Sequence, residues 1–194
     1  MTTKSTVAFP ALARWHEHIN GVNASAQMAD WLNNRTSLTA RLVAQCEVFR
    51  VLRLVQGRAL CLGDEFAQIG LARQLQVIER EVLLRCDEQA VVYAHTVMPL
   101  SANASQWPLF ASLGNRSLGT TLFSDPLVQR GALSFARLRV SHPLMRRIAA
   151  LNLLETSAPQ THLFARRSVF KRKGASLLVT EVFLPRILSL GKRA

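Results

Sequence analysis

Three cysteines, Cys46, Cys61 and Cys86, are all that the 194-residue chain carries, with no CxxC pair and no Cys/His cluster. An odd number at such wide spacing excludes a disulfide framework and a structural zinc, and implies reduced thiols in a cytoplasmic setting. No run of 18 or more apolar residues occurs, so no membrane-spanning helix is expected. The first twenty residues, MTTKSTVAFPALARWHEHIN, hold a lysine but lack the continuous apolar stretch of a secretory signal. GxGxxG after a strand, GxxxxGK(S/T), GxSxG and HExxH are also missing, which removes the motif-level case for nucleotides, acyl-serine chemistry or zinc. The five histidines are scattered. His16 and His18 stand two apart, wrong for a helical metal pair, and His95 suits a structural role better than that of a proton carrier.

Acids are scarce too, and unevenly so. From Leu127 onward there are 13 Lys/Arg against two acids, Glu155 and Glu181, and the whole chain has a formal charge of +12. Such a balance fits an anionic partner, whether nucleic acid, acidic lipid or a small polyanion, and fits a solvated basic surface equally well. The composition, 49% hydrophobic and 19% charged, is that of one ordinary globular domain.

The pattern along the chain is α+β. Residues 1–25 read as a loose lead-in with a short helix around Ala11–His18. Residues 26–45 read as two short helices broken at Asn33-Asn34, the second capped by Ser37 or Thr36, with Trp31, Leu32 and Leu38 buried. Strand character follows over Cys46–Gln56, ended by Gly57, and over a hairpin of 76–86 and 90–98 turning at 87–89. Short helices are expected at Ser105–Ser112 and Ser117–Phe123, a strand at Ala132–Ser141, and a helix at Pro143–Leu154. A final hairpin turns at Lys173-Gly174, and 187–194 is a basic tail. No repeat or interdomain linker is visible, so 26–186 is one domain.

Two residues break the apolar pattern. Alternation puts Glu181 on the face of Leu177, Val179 and Phe183, while Leu178, Thr180 and Val182 leave that strand no wet side. Likewise Arg80 falls on the face of Ile78, Val82 and Leu84. A buried charge needs a partner. Arg80 and Glu181 are therefore either a structural ion pair or the two poles of a closed pocket, the arginine holding a carboxylate and the glutamate a hydroxyl or proton.

The order of REVLL (80–84), HTVMP (95–99), LGTTLF (118–123), LFARRS (163–168) and LLVTEVFLP (177–185) resembles the chorismate pyruvate-lyase family, and DWL (30–32) with SLTARL (37–42) fits its N-terminal helices. The resemblance spans about residues 26–186. It implies a single α+β domain with an antiparallel sheet of about six strands and helical flaps over a buried ligand site. It also implies a cofactor-free lyase that splits chorismate into 4-hydroxybenzoate and pyruvate, the first committed step toward ubiquinone. The family's arginine and glutamate fall on Arg80 and Glu181. A leucine lining the product pocket falls on Leu118, and a flap position that is often methionine falls on Leu38. Arg167 is the candidate for the second, pyruvyl carboxylate. His95 stands where an arginine is common before TVxP, and Ala165 where a glycine is common before Arg-Arg-Ser; both departures bear on substrate binding. The expected partners are chorismate and 4-hydroxybenzoate, with peripheral contact to anionic membrane, no nucleic acid, and a monomeric state. The rival on the same fold is a non-catalytic sensor of aromatic carboxylates; about 25 residues before the domain leave no room for the winged helix of such regulators.

Overall fold

The computed structural model describes residues 12–108, 110, 112–154 and 160–191. Helix α1 (Ala26–Asn33) begins where the Ser25 hydroxyl accepts the Met28 amide, and α2 (Leu38–Val43) where Ser37 accepts that of Ala40. Thr36 bonds Asn34 instead, so Ser37 is the cap. Met28, Trp31, Leu32, Leu38 and Leu42 face inward.

Seven antiparallel strands follow among the described residues: β1 (Phe49–Leu60), β2 (Gln76–Cys86), β3 (Gln89–Pro99), β4 (Gln129–Arg130), β5 (Ser134–Arg139), β6 (His162–Arg172) and β7 (Ala175–Phe183). Their order is β1-β2-β3-β7-β6, with the two-residue β4 and then β5 sharing the outer edge of β6. The short β4 is what takes the sheet beyond the expected six. Between β4 and β5 the chain pinches onto β6: the Gly131 amide donates to the Val169 carbonyl at 2.7 Å, and a side chain at Gly131 would meet that oxygen at 3.1 Å.

Both hairpins turn through two residues of positive φ, Asp87-Glu88 and Lys173-Gly174, the twist that matches antiparallel strands. Gly57 does not end β1. It pairs with Glu79 inside the strand, and the irregularity lies instead between Arg53 and Val55. Helix α3 (Leu118–Ser124) forms as expected, but the described residues of 105–112 form turns. Helix α4 (Pro143–Ala150) buries Leu144, Met145 and Ile148 and stops short of Leu154, with Leu151 left exposed.

The sheet has two covered faces. On one, α1 and α2 pack over Val82, Leu84, Val92, Ala94 and Phe183. On the other, α4 packs over Leu83, Tyr93, Leu138 and Val182. The described segments on either side join this core. Trp15 donates to Asp64, His16 pairs with Phe135 in place of the expected helix, and Val22 is buried. Ile187 is fully buried in a 3-10 turn, Pro185–Ser189, so the described part of the tail is packed. Residues 1–11 of the lead-in, including Ala11, and 192–194 of the tail lie outside the described residues. Among the described residues no helix is long and apolar enough to cross a membrane, and the three cysteines are free.

Candidate active site

Between the sheet and its helical cover lies a narrow, partly open cavity of about 50 Å³. Its apolar wall includes Leu38 of α2, Leu118 and Leu122 of α3, and Val82, Leu84, Phe170 and Val179 of the sheet. Four charged side chains reach it: Arg80, Arg130, Arg166 and Glu181. Three guanidiniums against one carboxylate give this lining a net charge of +2.

Arg80 and Glu181 do not pair with each other. β3 runs between their strands, and the register sets Arg80 against Thr96 and Glu181 against Ala94. Two strand spacings separate the backbones by roughly 10 Å, so the two side chains face each other across a gap. Arg80, 2% exposed, donates through Nη2 to the carbonyls of Gly114 (3.1 Å) and Arg116 (3.0 Å). Its Nε is buried without a partner, and no carboxylate lies within ion-pair range among the described residues. Burial first, then Arg53, pulls its pKa down to about 10. Such a group is a buried cation satisfied only in part, by neutral carbonyls.

Glu181 is held by Arg166, whose Nε donates to Oε2 at 2.5 Å. Arg166 spends Nη1 on the end of α1, donating to the carbonyls of Leu32 (3.2 Å) and Asn34 (2.6 Å). It thereby ties the acid to the flap. Thr39 and Ser117 share a 2.5 Å hydrogen bond that fastens α2 to α3 across the cavity roof.

Arg167 is elsewhere. As Arg166's neighbour on β6 it points to the opposite face, where Nη1 donates to the Asp64 carbonyl at 2.7 Å and the guanidinium lies 4.0 Å from the Trp15 ring centroid. The expectation that it meets a ligand's second carboxylate is therefore corrected: strand alternation takes it through the sheet. Arg130 and Arg166 are the cavity arginines that pattern reading missed.

His95 and Ala165 also sit on the far face. His95 is 1% exposed, with Nε2 3.1 Å from Glu65 and Nδ1 3.2 Å from Glu81. Glu79, Glu81 and His95 offer donor atoms within 4.8 Å of one another, a spacing that can hold a metal ion. The Arg147 guanidinium of α4 lies on both carboxylates, so the cation position there is already filled by protein charge.

Set against known proteins, the family model described as chorismate lyase matches residues 10–192. A probable chorismate pyruvate-lyase of Cupriavidus metallidurans is 45% identical over 178 residues, 91% of this chain and 82% of that protein. One from Nitrosomonas eutropha is 43% identical over 183 residues, covering 94% and 99%. Among solved structures, the effector domain of PhnF from Mycobacterium smegmatis superposes with a TM-score of 0.52 at 16% identity, over 78% of this chain and 90% of that one. That last likeness is one of fold.

Proposed function

Since the chain belongs to the chorismate lyase family, we propose that it converts chorismate into 4-hydroxybenzoate and pyruvate in the cavity between Arg80 and Glu181. The observation that carries this reading is the lining charge of +2 around an apolar slot. Chorismate is a dianion, one carboxylate on the ring and one on the enolpyruvyl ether, and it is neutralised by such a lining. Arg80 takes the ring carboxylate. Glu181, with Oε2 on Arg166, presents Oε1 to the 4-hydroxyl across the ring, and Leu38 and Leu118 sandwich the apolar edges.

In the reaction the C4–H bond and the C3–O ether bond break. The C4–H electron pair joins the ring, and the C3–O pair leaves with the enolpyruvyl oxygen. The proton ends on the methylene carbon of that fragment, giving pyruvate. The drive is aromatisation and the change is redox-neutral, so the chemistry calls for no cofactor. The protein's task is to orient the substrate and stabilise the departing oxyanion. A space of about 50 Å³ holds roughly three or four waters, so ring entry requires α2 and α3 to move outward. The product so enclosed supplies the ring of ubiquinone.

Purified protein given chorismate without added metal or nucleotide is expected to yield 4-hydroxybenzoate and pyruvate in equal amounts. Arg80→Met and Glu181→Gln are each expected to lower kcat/KM by about 100-fold or more. Tight 4-hydroxybenzoate binding with no pyruvate formed would sink the lyase reading in favour of a sensor.

A further inference from the structure

Beside that cavity lies a larger cleft of about 820 Å³ lined in part by His18, Asn20, Asn33 and Arg35. Arg130 belongs to both walls. It ends β4 just before the chain pinches at Gly131, so its position is fixed by the sheet. The guanidinium carbon lies 5.2 Å from the Phe123 ring centroid and 5.6 Å from that of Phe170. Through Nη1 it donates to the Arg35 carbonyl at 2.8 Å, in the loop that joins α1 to α2. Its Nε is buried without a hydrogen-bond partner, and it has no carboxylate in ion-pair range among the described residues.

The three cavity arginines are thus not equivalent. Arg166 is committed to Glu181 and to the end of α1. Arg80 stands at the ring-carboxylate end. Only Arg130 combines an uncommitted charge with contact to the flap. We infer that Arg130 receives the enolpyruvyl carboxylate of the substrate, and that the same guanidinium latches the flap through Arg35 when that carboxylate is absent. A carboxylate is a stronger acceptor for a guanidinium than a neutral carbonyl, so binding the dianion draws Arg130 off Arg35 and loosens the loop. Departure of pyruvate through the larger cleft returns Arg130 to Arg35, and the flap closes over an aromatic product that carries one carboxylate.

This inference rests on the lyase reading, and its test separates the two. Arg130→Met is expected to raise KM for chorismate at least about tenfold more than it raises the Kd for 4-hydroxybenzoate, the smaller loss for the product coming from the missing latch on Arg35; product binding that persists also reports an intact fold. Arg130→Lys, which keeps the charge but not the planar fork, is expected to recover part of the loss. Hydrogen exchange at the amides of residues 35–37 is expected to quicken in Arg130→Met. An unchanged KM overturns the inference, as does an equal loss of affinity for chorismate and for 4-hydroxybenzoate, since the effect would then not belong to the second carboxylate. Wild-type protein that forms no product from chorismate overturns the lyase reading and this inference together, whereas an active wild type with a normal Arg130→Met overturns this one alone.

Discussion

His95 is buried between acceptors on both sides, Glu65 at Nε2 and Glu81 at Nδ1, with Glu79 at 3.9 Å and Arg147 of α4 beyond the two β2 acids. An imidazole flanked by two carboxylates satisfies both only as the imidazolium, which donates from each nitrogen. Burial opposes that charge, but Glu65 and then Glu81 outweigh it and push the pKa up to about 10. Because the folded value lies above the unfolded one of about 6.5, the stabilisation is complete below that pH and is lost as pH rises toward 10. Folding stability from urea titrations is expected to fall between about pH 7 and 8, at up to about 1.4 kcal/mol per pH unit, below the range in which the unfolded cysteines and then tyrosine titrate. His95→Gln is expected to flatten that slope and to leave KM for chorismate within about twofold, since the ring lies on the far face. A retained slope would remove His95 as its source. On the same face Glu81 is held down to about 2, against its own burial, chiefly by His95 and Tyr93 with Arg147 assisting. Its contribution runs the other way, present above the usual carboxylate pKa and lost as pH falls toward 2.

At the scale of elements, the flap is two helices joined to the sheet by few bonds. Gly119 at the start of α3 touches it closely: a Cβ there would stand 2.8 Å from Thr39 Oγ1. Gly119→Ala is expected to push α2 off α3 and weaken 4-hydroxybenzoate binding about tenfold, and Thr39→Ala in the same chain, which clears the hydroxyl, is expected to restore most of it. Failure of the double variant to recover would mean that the Thr39–Ser117 bond, not the space, sets the closure. Much of this arrangement was legible in the chain. Alternation alone placed Arg80 with Val82 and Leu84, and Glu181 with Phe183, on one face. The Lys173-Gly174 turn also sets the register: counting outward from Arg172 and Ala175 brings Glu181 opposite Arg166. Arg167 was thus one residue away from the cavity arginine, and a one-residue step on a strand crosses the sheet. What local pattern could not hold was strand order. That β3 separates β2 from β7, turning an apparent ion pair into the two ends of a slot, is a long-range fact. Arg130 was hidden for a related reason, because a two-residue strand has no periodicity to read.

Across the whole molecule the twelve acids are not spread as the bases are. Asp64, Glu65, Glu79 and Glu81 are gathered on the far face, where Arg147, Arg167, His95 and His142 surround them. Their field is cancelled inside the protein. The outer surface carries exposed arginines such as Arg14, Arg137 and Arg139 in excess over exposed acids such as Glu17, Asp30 and Glu47, and Arg53 stands close enough to Arg80 to depress its pKa. A dianion approaching from water therefore meets net positive potential before it meets the cavity. Steering of that kind acts on encounter and is screened by salt, whereas groups inside a closed pocket are screened far less. Raising salt from about 20 to about 300 mM is expected to lower kcat/KM for chorismate several-fold with kcat nearly constant. Replacing exposed Arg137 and Arg139 by glutamine is expected to reduce that salt dependence without changing 4-hydroxybenzoate affinity at high salt. A flat salt profile would mean that the +12 charge does not serve substrate capture.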